Sequence, residues 1–448
     1  MIRGSLLFVL VGVGALAAGA CDDAATTSAG GGTSASTGST STPTSSGSMG
    51  TASGPTSSSS SGGMTMFDPA SCAAPEIRCV DDTPGPSAEY PSIQEAVDAT
   101  APGDTVLVFA GAYGGFRVET SGTASARIEI KAEVGVTLTS AEAGSHNFIR
   151  IENAGYITIE GFVVKGSGQP QPYDYDYACV AARGATPDAP MHGLAFRFND
   201  VSGCSPSGLY LSEAEGLLLE GNSIHDNVLE QENGNGNGVY LANAGTDNVV
   251  VRGNRFVGNA GNGIHFNGDA SVGGDGIQTG HLFERNLIAS NAVNGFNMDG
   301  VQGSTFVDNV FANNGRHGVR GFAIDAAEGP KGDVFINDTF VGNKGSGVKM
   351  SEDGGGHVLF NDLFAANAEG GFVIDETAPM TSNNLDVAAL DGLFVGAAAG
   401  DFRLAPGAPA IDAGIASFAG HSAPTTDFNG FARSGAPDLG AFEVGSPP

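Results

Sequence analysis

The sequence predicts an all-β fold, a parallel β-helix solenoid, and three observations point there. First, two short patterns alternate from about residue 195 onward. One is Gly-apolar-x-apolar, in Gly208-Leu-Tyr-Leu, Gly238-Val-Tyr-Leu, Gly263-Ile-His-Phe, Gly295-Phe-Asn-Met, Gly347-Val-Lys-Met and Gly371-Phe-Val-Ile, with Gly318-Val-Arg-Gly as a weaker copy. The other is Asn/Asp-x-apolar-x-x-Asn, first in Asn222-Ser-Ile-His-Asp-Asn227 and again at 254–259, 286–291, 309–314, 338–343 and 362–367. Each recurs at intervals of about 23 to 32 residues, the scale of a solenoid repeat. Second, the apolar period inside a unit is two: Ile264 and Phe266 share one face, His265 and Asn267 the other. Third, glycine is abundant, at 70 of 448 residues, without a collagen-like period of three. Short strands with one apolar face, broken at Gly and Asn corners, stack coil upon coil.

The chain begins with a targeting segment. Arg3 supplies a positive start, residues 6–18 are apolar, and Ala18-Gly19-Ala20 offers small residues for cleavage, which reads as a signal peptide over 1–20. The apolar stretch is too short to span a bilayer. Ala18-Gly-Ala-Cys21 resembles the lipobox of bacterial lipoproteins, with Ala18 where Leu is usual, which implies lipidation at Cys21 and attachment to a membrane through that lipid alone. Ordinary cleavage after Ala20 would instead release a free secreted protein. Residues 21–66 are nearly all Ser, Thr, Gly and Ala, a composition that cannot offset its ordering entropy, so a disordered linker is expected. Such a tether spans about 35–40 Å root-mean-square.

The folded domain is expected over 67–448. Ser92-Ile93-Gln94-Glu95 is a capping box that opens a short helix with Ile93, Ala96 and Val97 on one face. Pro102-Gly103-Asp104 then turns the chain into a strand over 105–109. Such a helix would cover the open strand edges at the start of the solenoid. Further along, the recurring Asn suits a corner because it tolerates left-handed backbone, and stacked amides can hydrogen-bond from coil to coil. Ile224, Phe256, Ile288, Phe311, Phe340 and Phe364 share one repeat position and should form an internal stack, while Cys204 takes the ladder position of its own coil.

Cysteine count and charge bound the setting. With Cys21 set aside, four cysteines remain, and an even number in an oxidising compartment suggests disulfides Cys72 with Cys79 and Cys179 with Cys204. Zinc is the competing reading, although the spacings match no usual ligand pairs. The net charge of −30 argues against nucleic acid as a partner, since phosphate binding needs a basic footprint.

Ser92-Ile-Gln-Glu-Ala-Val-Asp followed by Pro102-Gly-Asp-Thr-Val-Leu-Val resembles the opening of pectate-lyase-like parallel β-helix proteins. The tail, Asp401-Phe-Arg-Leu-Ala-Pro-Gly-Ala-Pro-Ala-Ile-Asp412, then Asp427-Phe-Asn-Gly430, then Pro437-Asp-Leu-Gly-Ala-Phe-Glu443, resembles the closing segment of bacterial secreted β-helix proteins. The resemblance covers nearly all of 88–443 and implies the right-handed form of the fold. It selects no activity, because the superfamily includes lyases, hydrolases, epimerases and adhesins.

Repeat register also predicts a site. Tyr210, Tyr240, His265, Asn297, Arg320 and Lys349 should form one outward column, with Ser212, Asn267, Asp299 and Ser351 in a second. At about 4.8 Å per coil, His265 to Lys349 spans about 14 Å, the reach of three sugar rings. Arg316, Arg320, Lys331, Lys344 and Lys349 gather cations in an acidic chain. The expectation is a monomeric, extracytoplasmic cell-envelope protein that binds an acidic polysaccharide. Tyr210, Tyr240, Asn267 and Arg316 would hold the chain, and His265, Asn297, Asp299, Arg320 and Lys349 would form the catalytic set for β-elimination. Polar outward residues occur on any solenoid, so a non-catalytic adhesin or surface scaffold is the alternative. A glycoside hydrolase is a second one. Asn297-Met298-Asp299-Gly300 and Arg316-His317-Gly318 resemble polygalacturonase motifs, but Gly321-Phe322 stands where that family needs an Asp pair. No motif requires a cofactor. Ca²⁺ stays open through Asp269, Asp275, Asp299 and Asp325, or through Asp427, Asn429 and Asp438, although these types also suit turns.

Overall fold

The computed structural model describes residues 66–83, 89–172, 177–229 and 236–447. The expected signal segment, the expected lipid site Cys21 and residues 22–65 of the expected linker lie outside the described residues.

Each coil contributes three short strands, as in Val250–Arg252, Arg255–Val257 and Ile264–Asn267. Stacked coils build three long parallel sheets of twelve, eleven and ten strands, termed sheets I, II and III in that coil order. Inward residues alternate with outward ones, so a continuous apolar core runs through the solenoid. Ile224, Phe256, Ile288, Phe311, Phe340 and Phe364 pair in register from coil to coil, as expected. Stacked rings continue that order, with Phe340 4.9 Å from both Phe311 and Phe364. A helix, α1 (Ile93–Asp98), closes the first coils. Ser92 Oγ accepts from the Glu95 N–H, and Ile93, Ala96 and Val97 are buried.

Two Asn ladders run along the corners. In the first, Asn222, Asn254 and Asn286 each donate backbone and side-chain N–H groups to the Oδ1 of the next rung, at 2.8–3.1 Å. The second runs from Asn227 through Asn259, Asn291, Asn314 and Asn343 to Asn367 in the same manner. Cys204 heads it, its N–H reaching Asn227 Oδ1 at 3.0 Å. One expectation is corrected: the ladder Asn residues are not left-handed. The positive φ falls on the residue just before each rung, at Gly221, Gly253, Arg285, Asp308, Asn337 and Asn361 in the first ladder. A rung must send its amide inward to meet the next coil, so its predecessor takes the bend, even where that residue is Arg or Asp.

Cys72 bridges Cys79 and Cys179 bridges Cys204. The chain after the last coil does not cap the end; it folds back along the outside. Phe394, Phe402, Leu439 and Phe442 cover the outward Val310, Ala312, Val341 and Leu363 of sheet II. Ile415 and Phe418 cover Val334, Ile336 and Phe360 of sheet I. Arg433 pins this tail with a 2.5 Å ion pair to Asp308, beside Glu443 at 3.4 Å. Asp427 accepts from the N–H groups of Asn429, Phe431 and Glu443, and Asp438 from those of Asp412 and Val444. The oxygen-rich tail motif therefore acts as turn chemistry.

Candidate functional site

The outward column of sheet III is continuous. Arg117, Arg150, Ala181, Tyr210, Tyr240, His265, Asn297, Arg320 and Lys349 are register partners in successive coils. All six sequence-predicted residues fall on it. The second column holds Ser212, Ala242, Asn267, Asp299 and Phe322.

The column changes character along its length. Tyr210 and Tyr240 stack at 5.6 Å and are buried in a small cluster with Ala178 and Ala242, although they lie in the outward column. His265 is half-buried with its ring edge-on to Tyr240 at 4.7 Å. Loss of water pushes its pKa down to about 4, so the imidazole is neutral at pH 7. Its Nδ1 has no hydrogen-bond partner among the described residues. Asn267 Nδ2 donates to Tyr240 Oη at 2.9 Å and to Asp325 at 3.4 Å. Asn297 Oδ1 accepts from Asn294 Nδ2 at 3.0 Å.

Arg320 and Lys349 then stand side by side on neighbouring strands. Like charges directly opposite each other are destabilising. The Arg320 guanidinium lies 5.3 Å from the ring of Phe322, two residues along, and donates to the Gly321 carbonyl. Lys349 Nζ reaches both carboxylate oxygens of Asp375, at 2.9 and 3.0 Å. Arg316 is exposed on the turn bordering the sheet, its N–H bonded to the Val293 carbonyl. The other like-charged neighbours of the column, Arg117 and Arg150, each have a carboxylate two residues on, Glu119 and Glu152.

Asp299 is engaged by backbone. It is buried, and its carboxylate accepts from the N–H groups of Ile324, Asp325 and Ala326 at 2.9–3.3 Å. Burial raises its pKa, against those same hydrogen bonds. Asp299 thus shapes a loop over 323–330, which bridges to the long loop over 268–280 through Asp269 and Ala326. The two loops stand beside the column as one wall. His317 is buried in another ladder, donating its N–H to Asn294 and accepting from Ser346 at Nδ1. In the hydrolase-like motifs, Asp299 and His317 therefore spend their side chains on backbone N–H groups. Asp375 was missed by sequence reasoning; it follows Lys349's register partner Val373 by two, so period-two counting could have reached it.

A family model described as a right-handed β-helix region matches residues 128–275. Among solved structures, pectate lyase Pel9A superposes with a TM-score of 0.57 at 18% identity, covering 78% of this chain and 90% of that one. The alginate lyase from Paenibacillus sp. str. FPU-7 matches at a TM-score of 0.41 and 14% identity, over 66% of this chain and 96% of that one. No curated protein matches the sequence. The chain is a right-handed parallel β-helix with the pectate-lyase-like fold. At these identities the likeness is one of fold.

Proposed function

We propose that this protein acts outside the cytoplasm, held by lipid at Cys21, and binds an acidic polysaccharide along the outer face of sheet III. One observation carries the reading: Arg320 and Lys349 stand in register on adjacent strands of a chain with net charge −30. A polymer with a carboxylate on each sugar matches cations repeated at about 4.8 Å along a rigid sheet. The loop wall and Arg316 border the same face, and two disulfides support an oxidising compartment. Pel9A, of the same fold, is a pectate lyase.

β-Elimination is the second reading, favoured by a neutral imidazole in the cationic column. Arg320 and Lys349 would neutralise the substrate carboxylate while His265 Nε2 takes the proton from the carbon beside it. The bond from the next carbon to the glycosidic oxygen breaks, a carbon–carbon double bond forms, and water protonates the departing oxygen. The experiment offers the protein polyuronates and neutral glycans, following binding by calorimetry and unsaturated ends by ultraviolet absorbance. Polyuronate binding lost in Arg320→Ala/Lys349→Ala supports the face; absorbance growth lost in His265→Ala adds cleavage. Equal affinity for neutral glycans, or no glycan binding by folded protein, would overturn the reading in favour of a surface scaffold.

A further inference from the structure

The first Asn ladder changes chemistry at its far end. After Asn309 its next two rungs are Asp338 and Asp362, both fully buried, and Asn384 follows. The repeat states what each rung's second side-chain atom must do. Asn286 Nδ2 donates to the Val251 carbonyl and to Asn309 Oδ1; Asn309 Nδ2 donates to the Phe283 carbonyl and to Asp338 Oδ1. One coil on, the atom in that place is Asp338 Oδ2, and one further, Asp362 Oδ2. By the same repeat Asp338 Oδ2 faces the Phe306 carbonyl and Asp362 Oδ1. All of these are acceptors, and neither Oδ2 has a hydrogen-bond partner among the described residues. An ionised oxygen there has no donor hydrogen-bonded to it; a protonated one becomes a donor and completes the ladder.

We infer that Asp338 and Asp362 are built into the fold as neutral acids, each Oδ2–H standing in for an amide N–H, so that the last coils are held together by two retained protons. The surroundings agree. Asp308 is the carboxylate facing Asp338, and Arg433, which would otherwise compensate the ladder, is already committed to Asp308 and Glu443, with Asp427 beyond. Asp333, five residues before Asp338, accepts from Ser304 and faces His357. In the coil after Asp362, Asp386 accepts from the Gly371 N–H. None of these except the committed Arg433 is a permanent cation.

Burial raises both carboxyls, Asp338 to about 8 from an ordinary 3.8. A group that holds its proton more tightly when folded contributes fully below its unfolded pKa, and that contribution is lost as pH rises through the folded value. The last coils therefore loosen as the medium turns alkaline. They include the strand Val348–Met350, so the register of Lys349 against Arg320 depends on these protons.

The test is melting of wild type and Asp338→Asn/Asp362→Asn between pH 5 and 9, with infrared difference spectra in the carboxylic-acid C=O region at pH 7. Wild-type Tm should fall across this range by more than about 2 °C. The double variant, which restores the amide donors, should lose less Tm and lack part of the acid C=O absorption. A variant whose Tm falls as steeply as wild type, or wild type without excess acid absorption at pH 7, would overturn the inference. Should the double variant not fold, the wild-type spectrum and Asp362→Asn alone carry the same two readouts.

Discussion

Two outward columns of one solenoid follow opposite charge rules. On sheet I, Lys131, Glu160, Arg197, Glu220, Arg252 and Glu284 are successive register partners and alternate in sign at every step. Glu220 bridges Arg197 and Arg252, at 2.7 Å to each. On sheet III the corresponding steps bring Arg320 beside Lys349. The same backbone, at the same spacing, can alternate charges or set like charges in register. Where only stability is needed the chain alternates. Where the cations stand side by side, Lys349 takes its anion from Asp375, and the pair is the one the proposed polyuronate would meet.

The largest expected effect comes from imposing the rule of sheet I on sheet III. Arg320→Glu creates an alternating pair with Lys349, so affinity for a polyuronate should fall by about 100-fold, about 2.7 kcal/mol, while Tm holds or rises. Calorimetric titration beside a melting curve separates the two; a variant that keeps its affinity breaks the contrast. The reverse exchange is smaller. Glu220→Ala leaves Arg197 facing Arg252 across the vacant rung and should cost about 1 kcal/mol of stability, because these side chains are only partly shielded from water. Glycan binding should not change, and denaturant unfolding would show a shifted midpoint.

pH refines this further. Burial raises the Glu220 pKa, but the hydrogen bonds and charges of Arg197 and Arg252 outweigh it and hold it below its ordinary 4.5. A depressed carboxyl contributes stability above its unfolded pKa and loses it as pH falls through the folded value, so the contribution of sheet I fades below about pH 4.5. Glu220→Gln should remove that part of the acid dependence of Tm. The smallest effect is Asp375→Asn, which releases Lys349 from its internal counter-ion and should tighten polyuronate binding by about two- to five-fold. A loss of affinity would mean that Asp375 positions the lysine rather than competes for it.

Much of this was legible in the sequence because it repeats. The phenylalanine stack, the ladders and the sheet III column each rest on a fixed offset from a recurring Gly or Asn, and the cap at Ser92 rests on its own capping box. The tail leaves a trace in the sequence too: Ser223-Ile-His alternates, whereas Val310-Phe-Ala and Leu363-Phe-Ala are apolar on both faces, as a strand covered on its outer side must be. What could not be read came from segments without period. The capture of Asp299 by amides at 324–326 depends on where an irregular loop returns. Local pattern likewise assigned the left-handed corner to Asn rather than its neighbour, since type alone does not say which residue must face inward.

The alternating column of sheet I also constrains how such a chain can be copied. Duplicating or deleting one coil between Lys131 and Glu284 would bring two residues of the same sign together at the seam. Doing so two coils at a time restores the order. Parity is thus written into the outer surface, and the length of this molecule can change cheaply only in even steps along that stretch.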